Sequence, residues 1–224
     1  MSNDKRFCAG FPMTNGVPGK IAMLTGKRWQ PGTVLTISFL SGSRALQDRV
    51  MDAANIWLQF ANLQFDVRDS GPTDIRIDFL EGKGSWSFIG TDARLIQAPQ
   101  PTMNYGWFTD DTEEDEILRV TLHEFGHAIG LIHEHQNPLN AIQWNREQVI
   151  KDLSGPPNNW DKATIENNMF AAFNAADVAG TAVDPSSIMM YPIPPAWTLN
   201  GVTAGMNSAL SESDKDFIRQ AYPQ

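Results

Sequence analysis

A single cysteine, Cys8, stands among 224 residues, so no intramolecular disulfide can form and stability has to come from packing. A disulfide-free chain fits either the cytosol or a bacterial secretion route, so cysteine usage does not choose a compartment. No apolar run approaches the roughly 20 residues that span a bilayer, which argues against membrane insertion. The opening residues, Met1 to Arg6, lack the apolar stretch of a secretory signal. Basic residues are few, 17 Lys and Arg against 26 Asp and Glu, for a formal charge of −9. Phosphate binding needs a basic patch and none is visible, so nucleic acid is not an expected partner. Repeats and low-complexity tracts are missing too. Histidine is narrowly confined: four in the whole chain, all between positions 123 and 135.

What remains is ordinary globular material, 42% hydrophobic and 19% charged, long enough for one core or one domain divided by a cleft. Residues 1–19 hold Pro12 and Pro18 with little periodicity and read as an extension. Val34–Phe39 alternates as a strand does. Leu46, Val50, Ala53, Ala54, Trp57 and Phe60 recur at helical spacing and predict an amphipathic helix of about four turns. Ile75, Ile77 and Phe79 predict a second strand, and Thr102–Phe108 another at a sheet edge. Six of the seven residues from Asp110 to Glu116 are acidic. A calcium site is one reading; the simpler one, adopted here, is a helix N-terminus with Thr112 as cap and acids favoured by the helix dipole. Residues 137–209 look irregular, Glu212–Tyr222 forms a closing helix, and the seven tryptophans are read as core.

The histidines form His123-Glu124-Phe125-Gly126-His127-Ala128-Ile129-Gly130-Leu131-Ile132-His133-Glu134-His135. One helical turn puts His123 and His127 on the same face, about 6 Å apart along the axis, suited to two imidazoles on one zinc ion. Glu124 projects beside them without having to bind. His133 would lie about 15 Å away on a straight helix, so the helix must end near Ile129. Gly130 can take the left-handed turn that swings His133 back. Chance produces this combination in fewer than about one protein in 10⁵. Three protein ligands leave one tetrahedral position open, as in catalytic rather than structural zinc sites. Zinc lowers the pKa of a bound water to about 7, and Glu124 can accept its proton. Peptide-bond hydrolysis follows. His135 is read as a neighbour of the site, not a fourth ligand.

His123 to His133 match the metzincin signature H-E-x-x-H-x-x-G-x-x-H, and Ser187-Ile188-Met189-Met190-Tyr191 resembles that clan's methionine turn. Within the clan the sequence is most similar to the astacin family. Glu134 after the third histidine, Gly84-Ser85-Trp86-Ser87-Phe88-Ile89-Gly90 and Leu210-Ser211-Glu212-Ser213-Asp214 carry the likeness over about residues 20–222. The resemblance implies an α+β zincin fold. It has a twisted mixed five-stranded sheet with two long helices above an active-site cleft, and an irregular lower subdomain. Residues 20–224 would be the peptidase domain, divided at 133/134. Met189 would pack beneath the ligands, and Tyr191 would stabilise the tetrahedral intermediate. Glu134 would receive a mature N-terminus near Lys20, and substrate would add to the sheet's edge strand. A secreted, monomeric enzyme acting on proteins or peptides is implied, with one catalytic Zn²⁺.

Ser85 replaces the family's usual cysteine, which suggests a microbial relative. Arg6-Phe7-Cys8-Ala9-Gly10 loosely resembles the cysteine switch of matrixin prosegments. Cys8 is therefore a candidate latency ligand, its thiolate taking the open position, with cleavage near Gly19-Lys20 as release. No basic residue lies between Met190 and Lys215, so no preference for an acidic residue after the cleaved bond is expected. A non-catalytic zinc-stabilised binding protein is the alternative, and its cue would be loss of Glu124.

Overall fold

The structure, a computed structural model, describes residues 23–137, 142–171, 178–179 and 183–224. Cys8, the 1–19 extension and Lys20 lie outside the described residues. The element order is strand β1 (Val34–Phe39), helix α1 (Arg44–Ala54), strands β2 (Gln64–Val67), β3 (Ile75–Asp78), β4 (Trp86–Ser87) and β5 (Met103–Asn104), then α2 (Glu114–Ala128), α3 (Arg146–Ser154) and α4 (Glu212–Ala221). Met23–Leu24 pairs antiparallel with Val178–Ala179 in a separate small ribbon.

The five strands form one mixed sheet in the order β2-β1-β3-β5-β4, parallel except for the last pair. In β1, alternate residues Leu35 and Ile37 are fully buried while Val34 is exposed, the signature of a strand with one face on the core. The strand seen in Thr102–Phe108 is shorter than expected and is not at the edge. β5 lies between β3 and β4, its Met103 facing both Ile77 and Ser87. The edge belongs to β4, and the segment beyond it continues the pairing, with Phe88 N donating to Thr102 O at 2.9 Å.

Helix α1 begins at Ser43, whose hydroxyl accepts from Leu46 N, and buries Leu46, Val50, Ala53 and Ala54. It has three turns rather than four, because the chain leaves it at Asn55 for a 3₁₀ turn at Trp57–Gln59. That departure places the buried Trp57 indole against α2, where Nε1 donates to Leu122 O at 3.0 Å. A buried indole N–H needs such a partner. The N-cap of α2 is Glu113, one residue later than expected. Thr112 instead closes the preceding turn, its hydroxyl accepting from Thr109 N at 2.8 Å. The acids supply the first turn, and Glu114 pairs with Arg49 of α1.

The stretch expected to be irregular contains α3, started by Asn145, whose side chain accepts from Gln148 N. Only Val149 and Leu153 of this helix are buried, too few to show a period. Among the described residues, most of the buried apolar side chains gather into two clusters. A large one lies between the sheet, α1, α2 and α4; a smaller one gathers Val149, Leu153, Ile165, Met169, Met190, Tyr191 and Trp197. Met189 belongs to the first and Met190 to the second, so the two meet beside the histidines.

Candidate metal centre and cleft

Helix α2 ends as the site requires. Gly130 sits at φ 105°, with Gly130 N donating to His127 O at 2.8 Å and Leu131 N to Gly126 O at 2.9 Å. These two bonds satisfy carbonyls that the helix end would orphan, and the glycine takes the conformation that a side chain would strain. The chain reverses over Leu131 and Ile132 and returns His133 to the helix face. The ligand atoms of His123, His127 and His133 lie within 4.8 Å of one another, and His127 Nε2 stands 3.1 Å from His133 Nε2. Two nitrogens about 2.0–2.1 Å from one tetrahedral zinc would be separated by roughly 3.3 Å.

Each ring's other nitrogen is held. His123 Nδ1 lies 2.8 Å from Ile188 O, His127 Nδ1 2.9 Å from Leu131 O, and His133 Nδ1 3.3 Å from Gln136 Oε1. An acceptor on Nδ1 fixes the proton there and turns the Nε2 lone pair toward the shared centre. His123 Nε2 is buried with no hydrogen-bond partner, which a metal would supply. Burial holds His123 and His133 well below the usual imidazole range and His127 at about 4. All three are thus neutral, the state that binds a metal. The donor set and its spacing fit zinc.

Glu124 is fully buried beside them on α2. Beneath the ligands, Met189 Sδ would lie 2.4 Å from a Cβ on Gly126, so that glycine admits the methionine against the helix. The turn bearing Met189 is clamped by Asp214 of α4. Its carboxylate accepts from Ser187 Oγ at 2.6 Å and from Ile188 N and Ser211 N at 2.9 Å each. Since Ile188 O holds His123, the closing helix reaches the metal centre through one backbone residue. Asp214 also closes the capping box of α4 with Ser211, so the sequence around it shows a helix start and not its hold on the methionine turn.

Tyr191 is buried with its ring centroid 4.3 Å from that of His133. His135 is buried as well, Nε2 2.7 Å from Asn168 O and its ring 4.6 Å from Tyr191, and it stands outside the three-histidine group. Glu134 Oε1 accepts from Asp184 N at 2.9 Å, and burial raises this carboxyl to about 8.

A pocket opens beside the centre, lined by Trp107, Arg119, His123, Glu124, Tyr191 and Met206 among others. The segment after the methionine turn brings no basic residue, and the cation of this pocket is Arg119, which enters from α2 one turn before His123.

A mixed sheet over a three-histidine centre, with a buried glutamate on the same helix and a methionine below, is the arrangement of a metzincin-type zinc metallopeptidase. The sequence profile of the matrixin family matches residues 29–144, and the chain belongs to that family. It is similar to myroilysin, at 41% identity over 91% of this chain and 98% of that one, with a TM-score of 0.88. It also resembles the hatching enzyme zinc-protease HCE-1 of Oryzias latipes in fold, at 17% identity, with 88% and 95% of the two chains covered and a TM-score of 0.56. Interstitial collagenase of Bos taurus is 32% identical over 103 residues, 41% of this chain. The chain spans about a quarter of the length of the curated relatives it matches, 22% of the bovine collagenase and 25% of matrix metalloproteinase-C of Caenorhabditis elegans.

Proposed function

We propose that the chain is a zinc-dependent endopeptidase acting on proteins or peptides, with His123, His127 and His133 as ligands and Glu124 as general base. The observation that carries the reading is convergence: three neutral imidazoles present Nε2 to one point, and a buried carboxylate flanks it. Zinc bound there supplies a Lewis acid that polarises the scissile carbonyl and acidifies a water. Glu124 takes the proton from the attacking water and returns it to the leaving amine. The Tyr191 hydroxyl donates to the oxyanion as it develops. Strand β4, the edge strand beside β5, aligns an extended substrate by backbone hydrogen bonds.

Glu134 and Tyr191 are the astacin-like part of the proposal, supported by their places directly after the third ligand and after the methionine turn. So are secretion, a monomeric state, and residues 20–133 and 134–224 as upper and lower subdomains. Latency through Cys8 belongs here as well. Full-length protein, Cys8→Ala and a chain starting at Lys20 would cleave peptide unequally if the thiolate blocks the metal, and equally if it does not.

The test of the main reading is casein cleavage with and without a chelator, alongside Glu124→Gln. Glutamine is nearly isosteric but cannot take a proton, so activity should fall by roughly 10²–10⁴ at full zinc content. Near-normal cleavage by the zinc-loaded variant would overturn the assignment. A wild-type protein that binds zinc and cleaves nothing would point to the non-catalytic alternative.

A further inference from the structure

The cation in the pocket does not stand alone. Arg119 donates through Nε to Glu116 Oε2 at 3.0 Å and through Nη2 to Glu116 Oε1 at 2.8 Å. Trp107 Nε1 donates to the same Oε1 at 3.0 Å. Glu116, Arg119 and His123 lie on one stripe of α2, spaced by three and four residues, so the pair sits about one to two turns from the metal centre along the helix. The Arg119 side chain is only 17% exposed, and Trp107, which lines the pocket with it, fixes the carboxylate. A two-toothed pair with a third donor is better ordered than an exposed surface pair.

We propose that Glu116 is a specificity-determining residue. By neutralising Arg119 inside the pocket, it makes the site select a neutral side chain next to the cleaved bond and reject an acidic one. The inference rests on the peptidase reading above. A substrate carboxylate entering this pocket finds a guanidinium whose charge is already matched, and it brings a second carboxylate to the same cation beside the buried Glu124. Removing the negative charge at Glu116 leaves Arg119 as an unmatched cation, and an acidic side chain then becomes the fitting ligand.

The experiment compares paired peptides that differ only in Leu or Glu after the cleaved bond, using zinc-loaded wild type, Glu116→Gln and Glu116→Gln/Arg119→Gln. A second readout is calorimetric binding of the matching Leu- and Glu-bearing peptide hydroxamates, which chelate zinc without being cleaved. In wild type, Leu should be favoured over Glu. In Glu116→Gln the Glu:Leu ratio of kcat/KM and of affinity should rise by about 10- to 100-fold, the worth of a charged hydrogen bond. The double variant should lose that gain. An unchanged ratio in a folded Glu116→Gln protein of normal zinc content, or a gain that persists in the double variant, would overturn the proposal. If no protein cleaves either peptide but the hydroxamate ratio shifts, the peptidase reading fails and the pocket assignment stands.

Discussion

Gly126→Ala should destabilise this protein even though it puts a better helix former into the middle of α2. Alanine is favoured over glycine by about 1 kcal/mol in a helix interior. Against that gain, the new Cβ would lie 2.4 Å from Met189 Sδ, 3.3 Å from Met189 Cε and 3.4 Å from Trp57 Cζ2. Ordinary carbon contacts are about 3.5–4.0 Å, so the thioether must retreat by about 1 Å or more. It has little room to do so: Met189 and Trp57 are both buried, and the indole is tied to Leu122 O. Overpacking of this kind costs about 1–3 kcal/mol, leaving a net loss of up to about 2 kcal/mol. Displacing Met189 also disturbs Glu134 N, which donates to Met189 O at 3.0 Å next to the ligand His133. Zinc affinity should therefore fall by about 10-fold, the lower end for disturbed outer partners.

The cleanest form of the test is a double-mutant cycle. Met189→Ala removes the obstructing sulfur at a cost of about 2–5 kcal/mol. In that background Gly126→Ala should stabilise, by about 1 kcal/mol, because only the helix term remains. The effect thus changes sign, with a coupling of about 2 kcal/mol. Urea unfolding of the metal-free proteins measures the cycle, and competition with a chelating dye measures zinc. A Gly126→Ala protein as stable as its parent while Met189 is intact, with unchanged zinc affinity, would refute the packing argument.

Other expectations concern the site residues singly. Tyr191→Phe should lower kcat far more than it raises KM, since a hydroxyl on the developing oxyanion acts only in the transition state; an unchanged kcat with a weaker KM would assign it to substrate binding. His123→Ala should lose zinc as well as activity, by metal analysis after dialysis. Glu134→Gln should flatten the pH dependence of stability in the metal-free protein. The folded carboxyl is raised to about 8 from 4.5, so the folded chain keeps a proton that the unfolded chain gives up in this window. The group's stabilisation is full below 4.5 and is lost as pH rises through about 8, a change on the order of 5 kcal/mol. Equal slopes for wild type and Glu134→Gln would show that the buried carboxyl does not titrate this way.

The parts of this protein that could be read from sequence are those with a long repeat of one signal. Strand β1 and the end of α2 lie where the pattern puts them, the latter because Gly130 is required by a chain reversal that the ligand spacing itself demands. Strands β4 and β5 have two residues each, and two residues cannot show alternation. Their order at the sheet edge is therefore a tertiary fact. Helix α3 was hidden for a similar reason, with two buried residues in nine. The fourth turn expected of α1 fails because Trp57 looks equally helical on a wheel, and only the carbonyl of Leu122 across the interface decides that its indole turns away.

Arg119 was hidden for a different reason, its place in the chain: it precedes the first ligand, whereas the segment after the methionine turn, Met190 to Lys215, holds no basic residue between its ends. The helix that presents His123 also presents whatever lies three and four positions before it, and those positions are Val120 and Arg119, both of which line the pocket. Helical spacing alone, applied backward from the first ligand, would have placed a cation in the cleft. It would not have placed Glu116 in a two-toothed grip on that cation, because acids in the first turn of a helix are explained well enough by its dipole. The same carboxylate can serve the helix N-terminus and the charge balance of the pocket, and only the Trp107 indole bonded to it distinguishes a helix-capping acid from one positioned to act on substrate choice.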